Sequence, residues 1–166
     1  MSAISLRPYL PTDARRCADI FRSSIEELAA EDYDQDQREA WASRADDEQA
    51  FGARLAEALT LLAVIDGAVA GFASLKGADE IDMLFVAPEF ARQGVGRTLV
   101  DALTRLAQAR GAKRLTTEAS DVAKPLFERQ GFTAQKRNLV HRGDQWLANT
   151  TMTKTLGADP ASPTRH

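Results

Sequence analysis

The sequence predicts a single α+β domain in which a mixed sheet carries helices on both faces. Apolar residues recur with a helical period in some segments and with the two-residue period of a strand in others. These segments occur in the order strand, helices, three strands, helix, strand, helix and two strands. The chain of 166 residues is long enough to bury one core. This order is typical of a sheet that is covered by helices.

The N-terminal part is predicted to contain one strand and then helices. Ile4 and Leu6 alternate as in a strand, and Thr12 is expected to cap a helix with Asp13 in its first turn. The apolar stripe of this helix consists of Ile20, Phe21, Ile25 and Leu28. Residues 31–50 are acidic and polar and are expected to form one or two short helices. A further helix, over about residues 47–58, has its apolar side at Phe51, Leu55 and Leu59.

The central part is predicted to contain three strands and a long helix. Asp66-Gly67 lies between two apolar runs, which indicates a hairpin of strands over residues 61–65 and 69–75. A third strand follows over residues 80–86. The next helix ends at Gly111, and its apolar stripe consists of Leu99, Val100, Leu103 and Leu106.

The C-terminal part is predicted to contain a strand, a helix and a hairpin. The strand covers residues 115–118, and Ser120 or Asp121 caps the helix, which has Pro125 near its first turn. The final hairpin joins residues 133–141 to residues 145–154. Residues 157–166 are small, polar and proline-containing, so we expect a disordered tail after a domain of residues 1–156.

Composition excludes several classes of protein. The net charge of -3 gives no general attraction to nucleic acid or to an anionic membrane, so neither is an expected partner. The N-terminal sequence lacks the layout of a signal peptide, and no apolar run reaches the length of a bilayer span. Cys17 is the only cysteine, and His141 and His166 are the only histidines, so we expect no disulfide and no metal site. A cytoplasmic location is the default expectation.

The most informative stretch for function is IDMLFVAPEFARQGVGRTLV, residues 81–100. An apolar strand ends at Val86, Pro88 breaks it, and Gly94-Val95-Gly96 leads into an amphipathic helix. Glycines allow a close approach of the backbone, and the first turn of a helix has N–H groups without partners, which favours an anion such as a phosphate. An ordinary strand-to-helix turn would also account for the two glycines.

Two familiar phosphate loops are excluded by the residues that follow. A Walker loop ends in Gly-Lys-Ser or Gly-Lys-Thr, whereas Gly96 precedes Arg97-Thr98. The dinucleotide fingerprint needs a third glycine or an alanine at the position of Leu99. The phosphate loop is therefore of another kind.

Several segments together resemble one known family. The segment EIDMLFVAPEFARQGVGRTLV and the later KPLFERQGF resemble the GNAT superfamily of acyl-CoA-dependent N-acetyltransferases. AKPLFERQGF and the run from Arg142 to Met152 are similar more narrowly to the bacterial YafP-type acetyltransferases. The resemblance covers about residues 4–156. It implies a GNAT-like, largely antiparallel seven-stranded sheet with helices on both faces, and acetyl-CoA as cosubstrate.

The resemblance also implies a site for the cosubstrate. The family loop has the form Q/R-x-x-G-x-G/A, and Gly94 and Gly96 match its last two fixed positions, whereas Ala91 departs from the first. Arg92 beside Ala91 could supply the missing charge. The backbone of the loop is then expected to hold the pyrophosphate of coenzyme A, with the residues Arg92, Gln93, Gly94, Val95, Gly96, Arg97 and Thr98. The pantetheine arm would lie along the exposed backbone of Leu84, Phe85 and Val86, with the Leu84 N–H polarising the thioester carbonyl.

The second half departs from the family pattern. Many members have an asparagine and then a helix with Leu-Tyr, whose tyrosine protonates the departing thiolate. Here Ser120 and Phe127 occupy those positions, so they could contact coenzyme A, but Phe127 cannot donate a proton. Departure assisted by water, or unassisted, remains chemically reasonable, because a thiol with a pKa of about 8.5 is a good leaving group.

Two carboxylates are candidates for the general base that deprotonates the amine. Glu80 precedes Gly94 by fourteen residues. The resemblance to histone-type members of the family implies a glutamate base at the same distance from this glycine. Asp82 lies on the same face of the predicted strand and could share the task. A solvated strand face would explain both residues equally simply.

The acceptor site is less well defined by the sequence. Its candidate residues are Trp41, Arg142, Trp146 and Asn149, because the relatives place these regions near the acceptor. Packing or turn roles would also explain them, and His141 could relay a proton or only face solvent. The acidic run of Glu26, Glu27, Glu31, Asp32, Asp34 and Asp36 hints weakly at a cationic amine.

The sequence therefore predicts transfer of an acetyl group from acetyl-CoA to a primary amine of a small molecule or peptide. A non-catalytic acetyl-CoA sensor or interaction module is the alternative, and transfer to a hydroxyl also remains open. Cys17 is expected to be a buried apolar group. The oligomeric state is left open, although members of the family often form homodimers.

Overall fold

The structure is a computed structural model, and it describes residues 3–157. These residues contain one sheet of seven strands. The strands are β1 (Ser5–Pro8), β2 (Leu59–Ile65), β3 (Ala68–Lys76), β4 (Glu80–Val86), β5 (Arg114–Ser120), β6 (Thr133–Arg142) and β7 (Gln145–Thr155). Their order in the sheet is β1-β2-β3-β4-β5-β7-β6. Every neighbouring pair is antiparallel except β4 and β5, which are parallel. The largely antiparallel, mixed sheet that the sequence predicts is confirmed.

Helices cover both faces of the sheet. The helices are α1 (Ala14–Leu28), α2 (Gln35–Ala42), α3 (Glu48–Glu57), α4 (Val95–Ala109) and α5 (Lys124–Arg129). One core cluster packs α4 and α5 against one face, and includes Leu99, Leu103 and Phe127. A second cluster packs α1 and α3 against the other face, and includes Ile20 and Phe51. The apolar stripes of α1 and α4 are therefore buried on opposite sides of one sheet.

Three local predictions were wrong for identifiable reasons. Neither Ser120 nor Asp121 is the N-cap of α5, which is Ala123, because a turn whose Ala123 N–H donates to the Ser120 hydroxyl precedes the helix. Thr12 lies inside a short 3-10 helix over Pro11–Asp13 and does not cap α1. Asp13 instead provides the hydrogen-bond acceptor at this point, because its carboxylate accepts hydrogen bonds from the Leu10 N–H and from Arg7. Leu59 does not belong to α3 but begins β2, where it pairs with Leu75.

The predicted tail lies almost entirely outside the described residues. Gly157 is described, and residues 158–166 are not. The division into a domain of residues 1–156 and a disordered tail therefore stays a prediction.

Candidate active site

The centre of the sheet opens where β4 and β5 separate. These strands pair only at Glu80 with Thr116 and at Ile81 with Thr117. On the other side of β4, the register with β3 shifts between Ser74 and Leu75, so that Asp82 is an extra residue. Such a bulge bends a strand. It also explains why Ile81 and Met83, two residues apart, are buried in different core clusters.

The separation leaves backbone groups of β4 without a partner strand. The Ala87 N–H donates to the Ala70 carbonyl, on the side of β3. Because N–H directions alternate along a strand, the N–H groups of Leu84 and Val86 are directed away from β3, toward the opening. These donors are available to a guest that enters between the strands.

A groove leads from the opening to the start of α4; we call it the α4 groove. Gly94, with φ 85°, turns the chain into the helix, and Arg92 also has a positive φ of 64°. The Thr98 hydroxyl and N–H both donate to the Gly94 carbonyl, which fixes the turn. The N–H groups of residues 95–97 have no partner within the helix, so this end of α4 is suited to an anion.

The α4 groove contains nearly all of the residues that the sequence assigns to the cosubstrate. Those that line it are Leu84, Phe85, Val86, Arg92, Gln93, Gly94, Gly96, Arg97, Thr98 and Ser120. Val95 and Phe127 are the exceptions, because the Val95 side chain is buried in the core beneath α4 and Phe127 lines the second space described below. Arg129 also lines the groove, and among residues 3–157 Arg92, Arg97 and Arg129 have no carboxylate within ion-pair distance. The groove is therefore positively charged as well as rich in N–H donors.

A second space, of about 200 Å³, lies on the other side of the opening; we call it the β4–β5 cavity. The predicted site residues that line it are Glu80, Asp82, Leu84, Phe85, Ser120, Phe127, Trp41, Arg142 and Asn149. The two spaces share Leu84, Phe85 and Ser120, so they meet at the unpaired part of β4. A molecule bound in one space can thus touch a molecule bound in the other.

The two candidate carboxylates have different surroundings. Arg54 of α3 donates from Nε and Nη2 to the two oxygens of Asp82, at 3.0 and 2.9 Å. The half-buried Glu80 side chain has no such partner in the described part of the chain. Since a carboxylate held by a guanidinium fork has its lone pairs occupied, Glu80 is the freer acceptor of a proton.

Tyr33 occupies a central position that the sequence did not reveal. Its hydroxyl donates to the Ala148 carbonyl at 2.6 Å and accepts from the Asp121 N–H at 2.9 Å. The ring stands against Trp41, with 5.4 Å between ring centres, and both rings line the β4–β5 cavity. Burial raises the pKa of Tyr33 to about 12, so the hydroxyl is protonated at neutral pH.

Two residues singled out by the sequence lie elsewhere. Trp146 is 57% exposed and stacks on His141, with ring centres 4.7 Å apart, outside the β4–β5 cavity. Cys17 is fully buried in the core beneath α1, and burial raises its pKa to about 12. A thiol of that kind is not a ready nucleophile.

The β4–β5 cavity also contains charged residues that sequence reasoning missed, namely Arg44, Arg54 and Glu118. They come from a 3-10 helix, from α3 and from β5. No local motif marks them, because each is a single charged residue in an ordinary polar context. Tyr33 gave a weak signal, as an aromatic residue inside an otherwise acidic run.

Comparisons with known proteins agree with this geometry. The sequence profile of the acetyltransferase (GNAT) domain matches residues 29–156. This chain belongs to the GNAT family. The uncharacterised N-acetyltransferase YafP of Escherichia coli (strain K12) is 35% identical over 152 residues, which are 92% of this chain and 96% of YafP. The family that the sequence suggested is confirmed.

Solved GNAT structures have the same fold. A GCN5-related N-acetyltransferase from Rhodopseudomonas palustris is 56% identical, with a TM-score of 0.92, over 94% of this chain and 98% of that one. The PaiA N-acetyltransferase from Thermoplasma acidophilum, solved in complex with coenzyme A, is 19% identical with a TM-score of 0.76. The alignment covers 93% of this chain and 99% of PaiA.

Two kinds of feature are absent from residues 3–157. None of the helices within residues 3–157 is both long and apolar enough to cross a membrane. The same residues contain no group of histidine, cysteine and carboxylate side chains arranged to hold a metal ion.

Proposed function

We propose that this GNAT protein transfers the acetyl group of acetyl-CoA to a primary amine. The observation that carries the proposal is the meeting of the α4 groove and the β4–β5 cavity at the unpaired backbone of Leu84. One space fits a long anionic donor, and the other fits a small acceptor. Transfer at their junction can be direct, because orienting two bound reactants itself removes a large part of the barrier.

The α4 groove fits coenzyme A by the chemistry of its donors. The N–H groups of residues 95–97, together with Arg92 and Arg97, would hold the pyrophosphate. The pantetheine arm would extend along residues 84–86 and continue the sheet in the place that β5 leaves empty. The coenzyme A complex of PaiA supports this assignment through the shared fold.

Leu84 and Glu80 would be the residues that take part directly in acetyl transfer. The Leu84 N–H would donate to the thioester oxygen as negative charge develops there. Glu80 would accept the proton of the ammonium group, directly or through water, and so release the lone pair that attacks. Asp82 would assist through its charge while Arg54 holds it in place.

The departing thiolate would receive its proton from water. Phe127 is buried against Phe132 and has no acidic hydrogen. The hydroxyl of Tyr33 already donates to the Ala148 carbonyl. Since a thiol has a pKa of about 8.5, its anion can leave without a protein acid.

The experiment combines binding and turnover. Coenzyme A should raise the melting temperature, and thiol release from acetyl-CoA should depend on an added amine from a panel of amines, amino acids and peptides. Stabilisation by coenzyme A without turnover of any amine would favour a non-catalytic sensor. Absence of stabilisation would contradict both functions, and turnover of alcohols but not of amines would indicate O-acetylation.

A further inference from the structure

Three arginines lie around the β4–β5 cavity. Arg44 comes from the 3-10 helix over Ser43–Ala45, Arg54 from α3 and Arg142 from the last residue of β6. The first two elements are neighbours along the chain, whereas β6 is distant from both in the sequence. The fold therefore brings three guanidinium groups to the space that the proposed function gives to the acceptor.

Only one of these arginines is neutralised. Arg54 forms the fork with Asp82. Arg44 and Arg142 have no carboxylate within ion-pair distance in the part of the chain that the structure describes. The side-chain hydrogen bond of Arg142 goes to the carbonyl of its neighbour, His141, at 3.0 Å. Two guanidinium groups thus keep donors that a ligand can use.

The pKa values of Arg44 and Arg142 show that their positive charges are not fully compensated by nearby carboxylates. Desolvation by the surrounding protein lowers the pKa of Arg44. The positive charges of Arg142 and Arg54 lower it further, whereas the negative charge of Asp82 raises it. The surrounding protein and then Arg54 likewise lower the pKa of Arg142. Both groups remain charged at neutral pH, because a guanidinium loses its proton only in strongly basic solution. Charges gathered in this way are stabilised by an anion placed between them.

The acidic run of residues 26–36 does not alter the charge of the β4–β5 cavity. Its six carboxylates are exposed, and they lie outside the β4–β5 cavity. The acidic residues that do line the cavity are Glu80, Asp82 and Glu118, on the central strands. Asp82 is paired, whereas Glu80 and Glu118 have no ion-pair partner within residues 3–157, and the proposed function gives the ammonium group to Glu80. The hint of a purely cationic acceptor therefore loses its support.

We propose that Arg44 and Arg142 form an anion subsite for the acceptor, which is a small amine that also carries a carboxylate or a phosphonate. An α-amino acid has this chemistry. The amine would point toward Glu80 and the acid toward the two arginines. The aromatic wall of Phe21, Trp41 and Phe85 would contact the apolar part of the acceptor. This inference rests on the proposed function, because it concerns the acceptor of that reaction.

Matched amine pairs test the subsite. Phenylalanine should be acetylated with at least about 10-fold higher kcat/KM than phenethylamine, and 2-aminoethylphosphonate with a similar advantage over ethanolamine. Arg44→Gln and Arg142→Gln should each reduce this preference about 10-fold or more, chiefly by raising KM for the acid-bearing amine. Arg15→Gln, on the exposed side of α1, is the control and should leave the preference unchanged. Equal or better use of the neutral amines by the native protein would overturn the inference.

A binding measurement separates this inference from the proposed function. Protein saturated with coenzyme A is titrated with N-acetylphenylalanine or with N-acetylphenethylamine. Stronger binding of the acid, lost in the double variant Arg44→Gln/Arg142→Gln, supports the subsite even if no amine is turned over, in which case only the proposed function fails. Equal affinity for the acid and the neutral compound would contradict the subsite while leaving acetyl transfer unaffected.

Discussion

At the scale of single residues, two carboxylates of one strand are directed to different tasks by their partners. Asp82 is held at both oxygens by Arg54, which restricts its side chain and occupies its lone pairs. Glu80 faces the same cavity without such a partner among the described residues. We therefore propose Glu80 as the base and Asp82 as a fixed charge beside it.

Glu80→Gln should lower turnover by about 100-fold or more, because general-base catalysis contributes that much and the amide cannot accept the proton. The variant should also lose the ionisation of this carboxyl from its pH–rate profile. Binding of coenzyme A should persist, since Glu80 lines only the β4–β5 cavity. Steady-state kinetics across pH, with thermal stabilisation by coenzyme A as the second measurement, check this.

Two further variants make the result specific. Glu118→Gln removes the same charge from the same cavity and should have a much smaller effect. Asp82→Asn should act mainly through the loss of its pair with Arg54. Native turnover in Glu80→Gln, or a larger loss in Glu118→Gln, would show that Glu80 is not the base.

At the scale of elements, β3 sets the position of α4. A Cβ placed on Gly71 would lie 2.8 Å from the Phe85 carbonyl oxygen and 2.9 Å from Cγ1 of Val95, the first residue of α4. The first of these atoms is backbone, so a side-chain movement cannot relieve the clash. Sequence reasoning treated Gly71 as an ordinary strand residue, because only the tertiary structure brings β4 and α4 against it.

Gly71→Ala should lower the free energy of unfolding by about 1–3 kcal/mol through this overpacking. It should also weaken coenzyme A binding, since a shift of Val95 moves the N–H groups of the first turn. Urea unfolding and titration with coenzyme A measure the two effects. Gly157→Ala is the control, because a Cβ there meets no atom within 4 Å. Native stability in Gly71→Ala would show that the strand adjusts without cost.

At the scale of the whole molecule, Tyr33 connects segments that are distant in the sequence. It follows α1, and its hydroxyl bonds both β7, at Ala148, and the start of the turn after β5, at Asp121. The same ring supports Trp41 on α2. One side chain thus holds three walls of the β4–β5 cavity together.

Tyr33→Phe should lower the free energy of unfolding by about 1–3 kcal/mol at pH 8, because two partly buried backbone groups lose their partner. The folded-state pKa of about 12 lies above the unfolded value of about 10. The hydroxyl therefore stabilises the fold fully below about pH 10, and this contribution falls as the pH rises toward 12. The difference between native protein and variant should shrink between about pH 10 and 12 in urea unfolding. Tyr9→Phe is the control: it loses a single 3.4 Å hydrogen bond to the Gly52 carbonyl and should lower the free energy of unfolding less. A pH-independent difference for Tyr33→Phe would contradict this account.

The sequence by itself determined the local structure and the loop residues that line the α4 groove. The periods of α1 and α4, the Asp66-Gly67 turn and the Gly94-Val95-Gly96 turn are short-range patterns, and each element that they predict is present. The sequence did not determine the ends of elements that depend on contacts with another element. Leu59, for example, begins β2 because it pairs with Leu75 of β3. The loop residues of the α4 groove were found because the backbone of one segment supplies them.

The acceptor side was decided by the tertiary structure. Tyr33, Arg44, Arg54 and Glu118 become neighbours only when separate elements pack together, so no spacing in the chain marks them. The exposed acidic run was conspicuous in the sequence but lies outside the cavity, whereas single arginines from three elements converge on it. Periodicity and turns are encoded locally, but the charge inside a cavity depends on which distant side chains the fold places there.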